Sequence, residues 1–117
     1  MGNRVHILET YKWTPVLQDG SLVGYDLSVR YSQKQGCLFN NDSFGLAEWF
    51  NLNAGHCYVK GDSSDWTIKL EDLESIPKDA FKRLPIEGRT EEEMRRFIAE
   101  CIRCAKLTDG ECHMEWF

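Results

Sequence analysis

The stretch from residue 23 to residue 31 constrains the fold most. Val23, Tyr25, Leu27, Val29 and Tyr31 alternate without a break against Gly24, Asp26, Ser28 and Arg30. Period two in β-branched and aromatic residues marks a strand with one face turned to a core. Upstream, Val5, Ile7, Tyr11 and Trp13 share one parity, interrupted at Glu9. Gln18-Asp19-Gly20-Ser21 separates the two runs, and Asp-Gly suits the positive-φ positions of a tight hairpin turn. Pro15 has no N–H to give to a ladder, so it fits an edge position or a strand end. The first thirty residues read as a β-hairpin. Tyr25 and Tyr31 are expected in the core, and Trp13 at a sheet edge.

Downstream the pattern changes. Cys37-Leu38-Phe39 can form a short strand, and Asn40 to Ser43 offers helix caps before Leu46, Trp49 and Phe50 at i, i+3 and i+4, with Gly55 as the stop. His56–Lys60 and Asp65–Leu70 read as a second hairpin around residues 61–64, with Trp66, Ile68 and Leu70 apolar against Cys57 and Val59. Glu71 to Ile76 supplies one helical turn, and Pro77 opens a short helix through Leu84 that Pro85 ends. Thr90-Glu91-Glu92-Glu93 is a capping box opening the main helix, which runs to about Lys106. Its core stripe is Met94, Phe97, Ile98, Cys101 and Ala105. Thr108-Asp109-Gly110 turns the chain into a terminal strand in which Cys112, Met114 and Trp116 alternate with His113, Glu115 and Phe117. The expected fold is a single α+β domain spanning 1–117. It has an antiparallel sheet of about four to six strands, with the main C-terminal helix and shorter helices packed on one face.

A chain of 117 residues with 42% hydrophobic and 28% charged residues holds one core and excludes a disordered or low-complexity protein. No apolar run approaches the roughly 18 residues that cross a bilayer, and no signal-peptide core follows Met1-Gly2-Asn3-Arg4. A soluble, cytoplasmic protein without membrane contact is expected. The net charge of −5 comes wholly from residues 61–117, where nine basic groups meet fourteen acidic ones; residues 1–60 carry five of each. That balance argues against direct nucleic-acid binding, which needs a cationic surface. It favours a protein partner with a basic or nucleic-acid-binding surface.

Five cysteines, Cys37, Cys57, Cys101, Cys104 and Cys112, form an odd set that reads as reduced thiols. Cys101 and Cys104 with Cys112 and His113 supply four zinc-type ligands. Zinc pairs sit on tight knuckles, however, whereas Cys101 and Cys104 lie in the apolar stripe of a helix. Cys112 and His113, adjacent in a strand, point to opposite faces. The cysteines therefore read as core, with no metal and no cofactor. A thioredoxin-type pair needs its first cysteine at a helix N-terminus, which Cys101 is not. Two alternatives stay open: a zinc-stabilised small domain using Cys101, Cys104, Cys112 and a His, and a small-molecule pocket or minor cysteine enzyme around His56-Cys57, although no nucleophile signature or phosphate loop is present.

Fourteen aromatic residues are numerous for so short a chain, and aromatic side chains dominate binding hot spots. The resulting expectation is a non-enzymatic, acidic protein-binding module that acts by stoichiometric occlusion, as phage-encoded inhibitors and immunity proteins do. Glu91, Glu92, Glu93, Asp72 and Glu74 are its candidate steering residues. Trp13, Trp116 and Phe117 are its candidate anchors. A free edge strand also admits a β-edge homodimer.

Overall fold

The computed structural model describes residues 4–33, 39–40, 43–54, 58–60, 65–82 and 90–116. Expectations for Cys37, Leu38, Gly55, His56, Cys57, the 61–64 turn, Leu84, Pro85 and Phe117 lie outside them. The order is β1 (Arg4–Gln18), β2 (Ser21–Tyr31), β3 (Phe39–Asn40), α1 (Ser43–Asn53), β4 (Tyr58–Lys60) and β5 (Asp65–Lys69). Then come α2 (Leu70–Glu74), a 3-10 turn (Lys78–Lys82), α3 (Glu91–Leu107) and β6 (Glu111–Trp116). One six-stranded sheet has the order β2-β1-β6-β5-β4, with β3 added on β1, and its pairings are antiparallel. This is the α+β architecture the periodicities imply. The terminal strand lies inside the sheet, between β1 and β5.

Asp19 (φ 53°) and Gly20 (φ 78°) both take left-handed backbone, as the tight turn between β1 and β2 requires. The helical layer packs on one sheet face. Val5 and Ile7 of β1, Trp66 and Ile68 of β5, and Cys112 and Met114 of β6 meet Leu46, Trp49 and Phe50 of α1 there, together with the α3 stripe. That stripe is Met94, Phe97, Ile98, Cys101, Cys104 and Ala105, all buried. The Thr90 hydroxyl accepts the Glu93 N–H at 3.1 Å and caps α3. Leu70 opens α2 instead of closing β5 and still packs against the core. The segment after Pro77 is a 3-10 turn that buries Ala80 and Phe81.

The largest departure from the sequence pattern is at Glu9. The β1–β2 register shifts between Leu8 and Thr10, where Leu8 faces Tyr31 and Thr10 faces Arg30, so Glu9 is an extra residue. A one-residue slip turns every later side chain to the opposite face. Val5 and Ile7 face the helices, but Tyr11 and Trp13, of the same parity, face the other way. Tyr25 is 57% exposed and is not a core residue, contrary to expectation. The alternation in β2 is real, but no layer among the described residues covers its apolar side along the arm.

Only Val5, His6 and Ile7 of β1 pair with β6. Among the described residues, the strand from Thr10 to Gln18 pairs with β2 alone, and the two form a ribbon about 30 Å long that leaves the body of the sheet. This arm explains the extents of 56 × 33 × 24 Å and a radius of gyration of 15.5 Å, against roughly 13 Å for a compact chain of this length. Pro15 is tolerated within β1 because the strand's other edge is unpaired there.

Candidate functional site

The arm has two chemically distinct faces. Register pairs Tyr11 with Val29, Trp13 with Leu27, Pro15 with Tyr25, and Leu17 with Leu22, so these eight side chains share one face. A second register shift, between Val16 and Leu17, adds Val23 at the tip. The opposite face carries Thr10, Lys12, Thr14, Asp26, Ser28 and Arg30. On the apolar face Trp13 is 54%, Leu17 62%, Val23 58% and Leu27 41% exposed. A contiguous apolar surface that holds no charge and remains open is the usual mark of an interaction site.

The root of the arm is fixed on both sides. On the helical side Glu9 takes Arg103 of α3 at 3.4 Å and Arg30 of β2 at 3.7 Å. Arg103 also grips Glu100 with two bonds of 2.6 Å in a bidentate fork. Glu100 is buried, and it accepts further from the Ser32 hydroxyl, just past β2, and from the Cys104 thiol at 3.6 Å. Burial alone would raise the Glu100 carboxyl, but the bonds from Arg103 and Ser32 hold it below the usual carboxylate range.

On the open side Tyr11 stacks flat on His113 of β6, and the Tyr31 hydroxyl donates to Glu115. The His113 ring sits between Asp109, 3.0 Å from Nε2, and the Thr67 hydroxyl, 3.4 Å from Nδ1. Burial pushes the Asp109 carboxyl up, but the His113 hydrogen bond and the Glu111 backbone N–H bring it below its ordinary value. A pocket of about 70 Å³ opens at this foot, lined by Leu8, Tyr11, Leu27, Thr67, His113 and their neighbours.

Thr67–His113–Asp109 has the order of a hydroxyl–imidazole–carboxylate string. Thr67 lies mid-strand between β4 and β6, however, so its flanking amides belong to the sheet and form no oxyanion hole. Asp109, Glu111 and His113 place ligand-type atoms within 4.8 Å of one another. Asp109 Oδ1 is already shared between the imidazole and the Glu111 N–H, which accounts for the cluster as a turn. The sequence placed Asp109 only in a turn and did not single out Glu100; the Asp109–His113 bond is local, four residues apart, whereas the Glu100–Ser32 bond comes from long-range packing. Nothing among the described residues indicates catalysis, and no helix among them is long and apolar enough to cross a membrane.

The sequence candidates are dispersed. Trp13 is exposed on the arm, as expected, and Trp116 is the last residue of β6, paired with Val5. Glu91, Glu92 and Glu93 form the first turn of α3, where Glu91 pairs with Arg95 at 2.9 Å. Asp72 and Glu74 lie in α2. The acids therefore belong to the helical layer, and Glu91–Glu93 lie at the end of α3 opposite the Arg103 link to the arm. Cys101, Cys104 and Cys112 are buried on the helical side, while His113 faces the other side of the sheet, so the four do not converge. Burial and the nearby Glu100 charge push the Cys104 thiol up to about 12, which keeps it protonated. No known protein family, no curated protein and no solved structure matches the chain.

Proposed function

We propose that the chain is a non-catalytic protein-binding module that acts by stoichiometric occlusion, with the apolar face of the β1–β2 arm as its contact surface. One observation carries this reading: Trp13, Leu17, Leu22, Tyr25, Leu27 and Val29 lie together on one uncharged face and are all exposed. The ion pairs at Glu9 and the Tyr11–His113 stack brace the root, so the arm meets its partner in a preset orientation, which reduces the ordering cost of binding. Glu91–Glu93 of α3 and Asp72 and Glu74 of α2 lie off this face, so they act on the approach of a partner and not on the contact itself.

A photo-activated cross-linking side chain placed at position 27, and in a second variant at position 92, tests the reading. The expected result is a single polypeptide cross-linked in equal ratio from position 27 and far less product from position 92. Absence of any polypeptide product from position 27 overturns it.

A further inference from the structure

We infer that the occupant of the arm's apolar face is the same face of a second copy of this chain, the two arms packing antiparallel about a two-fold axis. This rests on the reading of the arm as a protein-binding surface and names what covers it.

Three observations converge. The first is mechanical. A two-stranded ribbon is marginal in water without a third layer, and beyond the Tyr11–His113 stack and the pocket beside Leu27 no described residue covers the arm's apolar side. A well-formed arm with an open apolar face therefore needs a cover, and an identical chain is always present.

The second is area. The exposed fractions of Trp13, Leu17, Leu22, Val23, Tyr25, Leu27 and Val29 amount to something on the order of 600 Å² of apolar side chain per copy. Pairing two copies removes about 1,200 Å² from water, the lower bound for a stable interface.

The third is self-complementarity. A two-fold contact requires that the same patch suit itself. This patch carries no charge, and the strand charges Lys12, Asp26 and Arg30 lie on the arm's far face, so the central contact is uncharged; the charges at its ends are Asp19 in the tip turn and, at the foot, Glu115 beside the His113 imidazole. Antiparallel packing also carries the tip of each arm, Leu17 and Leu22, over the foot of the other. There the pocket beside Leu27, Tyr11 and His113 is open to receive an aliphatic side chain. Sheet faces packed in this way stand about 10 Å apart, a layer that these aromatic and aliphatic side chains fill.

Sedimentation velocity on the purified full chain from 1 to 100 µM tests the inference. The expected species has twice the 13.6 kDa chain mass at the upper end. The double variant Trp13→Ser/Leu27→Asp weakens association by roughly 30-fold or more, the loss of a hot-spot pair. Thr14→Asp, on the polar face, leaves it unchanged. Far-UV circular dichroism verifies that the variants are folded. Independently of any variant, arm amides in the wild-type chain exchange hydrogen about ten-fold or more slowly at 100 µM than at 1 µM, because only the paired arm is protected. A chain that stays at 13.6 kDa throughout, or a dimer that survives the double variant, overturns the inference. A monomer that floats with anionic lipid vesicles overturns it too. A monomer that still cross-links from position 27 to a different protein refutes the second copy alone and leaves the protein-binding reading standing. A monomer that captures no polypeptide ends both.

Discussion

The His113 imidazole lies flat against the Tyr11 ring, with centroids 3.7 Å apart and planes within 12°. The stack joins the base of the arm to the middle strand of the sheet at the point where β1 ceases to pair with β6. Aromatic pairs contribute about 0.5–1.5 kcal/mol beyond the area they bury. Tyr11→Ala is expected to lower stability by about 1–2 kcal/mol. It also frees the arm, and chemical denaturation together with hydrogen exchange in residues 10–18 measures both effects.

Asp109 holds the other side of that ring, and its carboxyl sits below its ordinary value in the folded chain. A depressed folded-state value means that this contribution is complete above the unfolded-state value, near 3.8, and is lost as pH falls through the folded one. The side chain is 49% exposed, so solvent screening keeps the effect small. Asp109→Asn is expected to flatten the acid limb of a stability-versus-pH curve below about pH 4, and its small deficit against wild type is largest at pH 7, where the contribution is complete. An acid limb identical to wild type would count against the bond.

Glu100 is the costlier group to alter. It is 5% exposed inside α3 and is satisfied by Arg103, Ser32 and Cys104. Glu100→Gln leaves Arg103 facing a neutral amide and is expected to cost about 2 kcal/mol, less than the loss of a fully buried pair because Arg103 is 38% exposed. Ser32→Ala should cost about 1 kcal/mol. As with Asp109, the depressed carboxyl supplies stability above its unfolded value near 4.5 that disappears as pH drops through the folded value. Urea titrations at pH 7 and pH 3 of the wild type and Glu100→Gln measure both terms, and the gap between the two proteins should narrow at the lower pH.

Local chemistry made most of this fold legible. Asp19-Gly20, the Thr90 cap and the α3 stripe each state their conformation within a few residues, and all three take it. The burial of Cys101, Cys104 and Cys112 followed from their positions on a helix and a strand. What the sequence hid was the consequence of one inserted residue. Parity assigns Tyr11 and Trp13 to the face of Val5 and Ile7, and the bulge at Glu9 reverses them. No local rule separates a polar residue that interrupts a strand from one that shifts its register. The arm's exposure was equally hidden, because alternation states that a face is apolar and not what covers it. The Glu9–Arg103–Glu100–Ser32 chain joins residues far apart in sequence, and only the packed structure assembles it.

The turn at the tip of the arm gives a sharper test of backbone chemistry. Gly20 has φ +78°, and no atom within 4 Å would meet an added Cβ, so Gly20→Ala suffers only from conformation. A loss of about 1 kcal/mol is expected, confined to the hairpin. Gly24 has the same open surroundings without a positive φ, so Gly24→Ala should be neutral or slightly stabilising. Thermal melts of the two variants compare one added methyl group in two backbone settings, and equal losses would refute the left-handed turn.

The buried thiols make the final prediction. Cys104 is completely buried, and its ionisation is pushed up to about 12, first by desolvation and then by the Glu100 charge. At pH 8 the thiolate needed for alkylation is scarce and inaccessible in the folded chain. Labelling of Cys104 by iodoacetamide should therefore follow the opening of α3 and accelerate with sub-denaturing urea. The same shift carries a signed pH effect. Above about pH 9 the unfolded chain releases the Cys104 proton while the folded chain keeps it, so stability falls as pH rises toward 12. Cys104→Ala removes that slope and costs about 1 kcal/mol or more at pH 7 for the vacated volume. Rapid labelling at pH 8 without denaturant would show that the thiol is accessible and ionised in the folded protein, and an alkaline limb unchanged in Cys104→Ala would show that folding does not raise its ionisation.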